Sequence, residues 1–465
     1  MLSNRLPLIV ERSETGPFTR ESDFDMAVAR RIAELVKSYG IRFDRQRVVP
    51  ADGDLADRVY QAGLDLFVEM GVYNQSTERR VIFTRQEVED AVAAAPREVT
   101  LGTGRDTVVM KHLAVESKEP AIVHSGPTGT PCSERCHPLI LQSCAQEPLV
   151  DCLGAGSVST YMGQPVIPGS PNEILAARRD AAVAREALRR AGRPGMHIND
   201  VAAPLNCAGK MAAVDMEHGL RPSDAFLVTQ LPELKTNYDQ LSRVAFMLGN
   251  DMNIVDLHTP LIGGLAGGAE GTAIAVVAAH ILGAVCFHCS YHIFGHMSLR
   301  WSHNTDRLGL WVYAVAGQAL SRRTPMVTTN AIYTRAGLCT EQVLWEVAAG
   351  SVVAMVCGLN QLGVGATGGS CADHTSGLEA RFNAEATHAS RGLTLEDANE
   401  LALAMLGHYE SHAADPDPGK PFAQIYDLDA LEPTSEWLDV YGRVRNAVCD
   451  LGLNMDRGWR EVRYG

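Results

Sequence analysis

Apolar and polar positions follow two different periods along this chain. In residues 23–38 and 54–70, apolar side chains recur at helical spacing with charges between them, the pattern of amphipathic helices. The following VIFTRQEVEDAVAAAPREVTLGTGRD reads as a short extended piece, an acidic helix and a strand. Residues 1–115 are therefore expected to form an N-terminal helical extension. Beyond it, short and nearly continuous apolar runs recur at 121–126, 150–156, 195–200, 225–230, 253–258, 284–289, 326–331 and 360–366. Strands covered on both faces have this character. Helical patterns fill the gaps at 172–191, 207–216, 234–248, 269–282, 305–321 and 340–356. Eight strands alternating with helices over this length predict an α/β chain folded as a (β/α)8 barrel, residues 116–410, with a doubly wound sheet as the rival. The stretch AADPDPGK marks a surface loop, and residues 411–465 are read as a loop and a last helix, 435–451, packing on the barrel.

Composition narrows the class. Of 465 residues 46% are hydrophobic and 21% charged, and the net charge of −14 argues against nucleic acid as the partner. MLSNRLPLIVERSE lacks a signal-length apolar stretch. Residues 269–288, the most apolar candidate span, are interrupted by Glu270 and His280 and read as a buried helix and strand rather than a membrane segment. A cytoplasmic enzyme is expected. The eleven cysteines are an odd number and mostly sit in apolar runs, so they are read as reduced thiols. Cys132–x3–Cys136–His137 and His288–Cys289–x2–His292–x3–His296 do not match a structural zinc spacing, and no metal ligand is assigned.

In a barrel the active site gathers at the carboxyl ends of the strands. Those ends supply His124, Thr128, Ser157, Asn199, Asp200, Thr229, Gln230, Asp256, His258, His288, His292, Asn330, Tyr333 and Thr367. GVGATG, residues 363–368, satisfies G-x-G-x-x-G, but no helix opens on its last glycine. It is read as the last strand and its loop. Gly263, Gly264, Gly267 and Gly268 form either a tight turn or a loop that lets a flat cofactor approach the backbone; Gly264, Gly267 and Gly268 are the candidate cofactor contacts. His258, His288, His292, His296 and His303 fall near the expected mouth, where imidazoles suit acid–base work.

LGTGRDTV, AIVHSGPTGTPCSE, SPNEILAA, AGRPGM, QLPELK, GGLAGGAEGTAIAVVAAHI, RWSHNT, AGLCTE, TSGLEARFNAEA and DLDALEPTSEWLDVYGRVRNAVCDLGL follow one another as they do in the monomethylamine methyltransferases, which this chain resembles from about residue 20 to about residue 453. The resemblance implies a (β/α)8 barrel and methyl transfer from a small substrate to the Co(I) corrinoid of a separate partner protein. It also implies a homo-oligomer, a hexamer in the family. The family carries pyrrolysine shortly after the AGRPGM motif, and the matching position here is Asn199, followed by Asp200. The two glutamates and the glutamine of the family's amine pocket match Leu227, Leu257 and Ala331, while the family's tyrosine is kept as Tyr333.

That exchange removes charge and adds apolar surface, about 1.5–3 kcal/mol for each fully buried side chain. A bare methylammonium would lose its counter-ions there. The expected substrate is a small methylated compound other than monomethylamine: a quaternary amine, a methyl ether or a thioether. Phe226, Phe287, Tyr291, Tyr333 and Trp301 are candidates for a cation–π cage. Asp256, His258 and His292 are the catalytic candidates; Asn199, Asp200, Leu227, Leu257, His288, Ala331 and Tyr333 are the substrate-binding ones. Zinc at the leaving group is an option the reading does not require. Two alternatives stay open: a His/Asp barrel lyase or hydrolase, and a non-catalytic relative that binds a methylated ligand.

Overall fold

The structure is a computed structural model and describes residues 5–201 and 206–464. Eight parallel strands form its centre: β1 (His124–Ser125), β2 (Cys152–Val158), β3 (His197–Val201), β4 (Ala225–Thr229), β5 (Asn253–His258), β6 (Tyr291–Phe294), β7 (Thr328–Tyr333) and β8 (Asn360–Gly365). Each pairs with its sequence neighbour, and a parallel bridge from Val123 to Gln361 joins the first to the last. The barrel reading therefore holds, and the rival open sheet does not.

Helices α1 (Glu21–Ser38) and α2 (Gly53–Met70) precede the barrel. The helices α3 (His137–Ala145), α4 (Pro171–Arg190), α5 (Cys207–Ala212), α6 (Tyr238–Gly249), α7 (Ala269–Leu282), α8 (Arg307–Arg323), α9 (Glu341–Val356) and α10 (Gly377–Ala389) follow the eight strands in turn. Many open on a side chain that takes up an orphan backbone N–H. Asn206, Asn237, Asp306 and Thr340 each accept from a backbone N–H three residues on, and Ser376 with Glu379 makes a capping box. After α10 come α11 (Leu395–Tyr409) and α12 (Ser435–Asp450).

The stretch Ala269–Phe287, mean hydropathy 1.8, is long and apolar enough to cross a membrane, but 94% of it is buried inside the fold. The cause is visible on its outer side. Gly63 of α2 lies against Val277, and Ile32 of α1 against Gly271. The N-terminal helices cover α7, so α7 is apolar all round. The antiparallel hairpin of Glu98–Leu101 and Val108–Lys111 sends Val99, Leu101 and Met110 into the lumenal core with Cys152, Ala225, Val255, Tyr291 and Val327. It plugs the end of the barrel opposite the strands' carboxyl termini.

One expected element is corrected. Residues 284–289 are not a strand: α7 runs on through a π turn, Gly283–Phe287, and stops at His288, whose φ of 52° reverses the chain. The sixth strand begins at Tyr291. A short apolar run cannot be told from a buried helix by periodicity, and AVCFHC was such a run. Strands β1, β2, β3 and β7 begin two or three residues later than the apolar runs suggested.

Candidate functional site

A cavity of about 450 Å³ opens at the carboxyl ends of the strands. Its floor is apolar, made by Leu227, Leu257, Ile293 and Leu362 from β4, β5, β6 and β8. One side is the end of β1 and the segment after it, with Ser125, Thr128 and Thr130, together with Gly154, Gly156 and Ser157 of β2. Gly156 has a φ of 57°, and a Cβ there would strike the Pro127 ring at 2.6 Å, so only glycine lets these two strands' ends close together. Asn199, Asp200, Thr229 and Tyr333 also line the cavity.

Asp200 is the one carboxylate in that lining among the described residues and is 3% exposed. Its φ of 30° lies in the left-handed region, which turns a side chain adjacent to Asn199 toward the same space. It accepts the backbone N–H of Leu227 at 2.6 Å and pairs with the buried Lys210 ammonium of α5. Burial draws the Lys210 ammonium below its ordinary pKa while the Asp200 carboxylate opposes that shift. The Tyr333 hydroxyl is pushed up to about 12 by burial, so it keeps its proton and can donate a hydrogen bond. Its ring packs into room left by two glycines, for a Cβ at Gly365 would lie 2.6 Å from it and one at Gly129 3.4 Å.

Behind β7 stands a support that spacing alone did not single out. Asn304, in the RWSHNT motif, accepts from the Tyr333 N–H at 2.9 Å. Its amide donates to the Ala331 and His296 carbonyls at 2.9 and 3.0 Å and to Tyr313 Oη at 2.7 Å. Next to it Glu346 accepts from the N–H groups of Arg335 and Ala336 and from Gln342. Buried polar groups satisfied this completely hold a strand in one place.

Residue parity decides which expected residues reach the cavity. Side chains alternate across a strand. Residues 227 and 229, 257, and 293 face the lumen, so 256, 258 and 292 face the surrounding helices. None of the expected catalytic residues Asp256, His258 and His292 lines the cavity. Their side chains lie between barrel and α7, where Gln230 donates to Asp256 at 2.6 Å. The Nδ1 of His280 in α7 contacts the Val276 carbonyl at 2.8 Å, which leaves its Nε2 to accept from His258 Nε2 at 3.4 Å. Burial lowers His258 to about 4.

His288 sits before β6, at the plugged end, and does not enter the substrate site expected for it. His296 is buried against the Gly309 carbonyl at 2.9 Å, and His303 lies 3.7 Å from Asp306. Among the five expected aromatics only Tyr333 lines the cavity. Phe226 and Phe287 pack in the outer core, Tyr291 lies deeper in the lumen, and Trp301 stacks with Arg300 and Arg335, 4.5 and 5.2 Å from its ring. The expected cage is therefore not assembled. Asn199, Asp200, Leu227, Leu257 and Tyr333 do converge on one cavity. Ala331 lies in the lumenal core beside Tyr333 and Leu362 without lining it. Gly264, Gly267 and Gly268 also stay off the lining, in the loop between β5 and α7, where Gly267 and Gly268 are exposed. The eleven cysteines are free. In GVGATG, Thr367 and Gly368 both take positive φ and no helix follows directly.

Comparison with known proteins agrees with this architecture. The family model for monomethylamine methyltransferase MtmB matches residues 8–453. A monomethylamine methyltransferase MtmB of Methanosarcina mazei is 36% identical over 445 residues, covering 95% of this chain and 97% of its own. MtmB1 of Methanosarcina acetivorans is 35% identical over the same shares. The crystal structure of the Methanosarcina barkeri monomethylamine methyltransferase superposes with a TM-score of 0.93 at 34% identity, covering 96% of this chain and 98% of the other. The chain therefore belongs to the monomethylamine methyltransferase MtmB family.

Proposed function

We propose that this protein is a non-pyrrolysine methyltransferase that moves a methyl group from a small, uncharged methyl ether or thioether to the Co(I) corrinoid of a cognate partner protein, and that monomethylamine is not its substrate. One observation carries the reading. Leu227 and Leu257 floor the cavity, while its one lining carboxylate, Asp200, is already committed to Lys210. A cationic donor would be desolvated with no counter-charge to spare among the described residues. The missing aromatic cage argues the same way against a quaternary ammonium, so the ether and thioether remain from the classes the sequence suggested.

The chemistry follows from the lining. When bound, the corrinoid supplies the Co(I) nucleophile that accepts the methyl group. The open mouth and the exposed Gly267 and Gly268 fit the approach of a flat macrocycle, since a Cβ at Gly267 would meet nothing within 4 Å. As the carbon–oxygen or carbon–sulfur bond breaks, its electron pair stays on the leaving atom, which needs a proton. Asp200, hydrogen-bonded to Lys210, relays that proton, while Asn199 and Tyr333 orient the donor by hydrogen bonds. The apolar floor excludes water from the methyl carbon. Family resemblance supports a homo-oligomer, a hexamer, and the sequence reading a cytoplasmic location.

The test is a donor panel. The protein, a corrinoid partner held as cob(I)alamin and N-, O- or S-methyl donors are mixed, and methylcobalamin absorbance is followed. The expected result is turnover with an O- or S-methyl donor and none with monomethylamine. Turnover of monomethylamine alone, or silence across the panel, refutes the reading.

A further inference from the structure

His124, Cys152 and His197 are opposite neighbours on three adjacent strands: His124 pairs in register with Cys152, and Cys152 with His197. Their ligand atoms all lie within 4.8 Å of one another, and all three side chains are fully buried. Spacing in sequence hides this group, because 27 and 44 residues separate its members as numbered.

The orientation of the two imidazoles is specific. His124 Nδ1 lies 3.1 Å from the Gln361 carbonyl and His197 Nδ1 3.1 Å from that of Ser223. A carbonyl accepts only, so Nδ1 carries the proton in both rings and each Nε2 presents a lone pair. His124 Nε2 has no hydrogen-bond partner among the described residues; His197 Nε2 faces the Tyr291 hydroxyl at 3.4 Å. Metal-bound histidines are held in this way, by a backbone carbonyl on the other ring nitrogen. An unsatisfied imidazole nitrogen in a dry core is otherwise costly.

We propose that His124, Cys152 and His197 bind a divalent, thiophilic cation, Zn²⁺, in the lumen below the cavity, with the Tyr291 hydroxyl at the fourth position. Two neutral imidazoles, a thiolate and a hydroxyl suit zinc in both donor type and number. Bonds of about 2.0–2.3 Å need donor atoms about 3–4 Å apart, a small closure of the present group. Binding exchanges the Cys152 thiol proton for the metal: Sγ–H and M²⁺ give Sγ–M and a released H⁺. On the same strands, two residues toward the mouth, Gly154 and Asn199 line the cavity. The ion would thus pin β1, β2 and β3 one side-chain layer below the donor site, a structural role independent of which methyl donor is used.

A second group, Asp256, Cys289 and His292, has a similar donor set, but Asp256 is occupied by Gln230 and His292. It serves as the control. The full-length chain, grown with zinc and dialysed against a weak chelator, should retain about one zinc per chain by elemental analysis. Cys152→Ala should lose it, and Cys289→Ala should keep it. Should Cys152→Ala fail to fold, Co²⁺ added to the metal-free wild-type chain still decides: tetrahedral d–d bands with a thiolate-to-cobalt charge-transfer band support the site. Absence of those bands, a metal-free wild type, or zinc lost with Cys289→Ala but kept with Cys152→Ala overturns it.

Discussion

Asp256 and His292 face one another in register on adjacent parallel strands, Oδ1 to Nδ1 at 2.9 Å, on the outer wall of the barrel. Gly283, where α7 passes into its π turn, closes over them. A Cβ at Gly283 would sit 1.9 Å from Asp256 Oδ2 and 2.9 Å from His292 Nδ1. Glycine to alanine in a helix ordinarily gains up to about 1 kcal/mol. Here the sign reverses: Gly283→Ala should destabilise by about 1–3 kcal/mol through overpacking. Gly407 in α11 meets nothing within 4 Å, so Gly407→Ala should stabilise slightly. Denaturant unfolding of both variants checks the contrast, and a stabilised Gly283→Ala would show that the pair does not need the space.

The proposed donor selectivity would rest on two leucines of the cavity floor. Leu227→Glu with Leu257→Glu would return carboxylates to the cavity floor, where the family's amine pocket has acidic groups. The double variant should lower kcat/KM for the neutral donor relative to methylammonium by at least about tenfold, a change of about 1.4 kcal/mol in relative transition-state binding. Methylcobalamin formation with competing donors measures it. An unchanged ratio would place the donor elsewhere.

The barrel was legible because strands buried on both faces and amphipathic helices leave different patterns, and α7 and α9 could be bounded almost to the residue. Asp256, His258 and His292 lie off the cavity lining for a definite reason. Proximity to a strand's carboxyl end does not fix which face a side chain takes, and in NIVDLH the lumenal residue near the end is Leu257, not Asp256 or His258. Parity is nonetheless legible in the sequence, since Leu227 and Leu257 match positions of the family's amine pocket. Asn304 and the group of His124, Cys152 and His197 depend on register between strands distant in sequence, which no spacing rule shows.

The Asp200–Lys210 pair makes a separable prediction. Asp200→Asn should lower turnover by about 10²–10⁴, the usual worth of a positioned proton carrier, and should cost about 3–5 kcal/mol of stability because the buried Lys210 ammonium loses the Asp200 charge. Asp200→Asn with Lys210→Met removes both charges and should recover most of the stability without recovering turnover. Unfolding curves and single-turnover kinetics on the two variants separate the roles. Full activity in the stable double variant would remove Asp200 from the chemistry.

Stability above neutral pH should be governed in part by Glu379. Burial at the start of α10 raises its carboxyl from an ordinary 4.5 to about 8, with nearby Glu147 adding to the rise and hydrogen bonds from the Ser376 backbone and hydroxyl opposing it. The surroundings are otherwise neutral or paired: Glu147 is bound by Arg381 at 2.6 Å, Cys144 and Tyr426 lie close with their own pKa values raised by burial, and Trp437 Nε1 donates to Ser376 Oγ at 3.4 Å. The folded state therefore keeps a proton that the unfolded chain releases above about 4.5. This contribution is complete below that pH and is lost as pH rises through about 8, with a slope of up to about 1.4 kcal/mol per pH unit. Glu379→Gln can keep the capping contacts, because its amide oxygen accepts from the Ser376 N–H and its amide NH2 can donate to Ser376 Oγ, and it carries no charge at any pH. Urea unfolding at about pH 5 and about pH 8 should show wild-type stability falling between the two, with the variant flatter and the more stable protein at the higher pH. Parallel pH profiles would mean that Glu379 is already ionised in the fold.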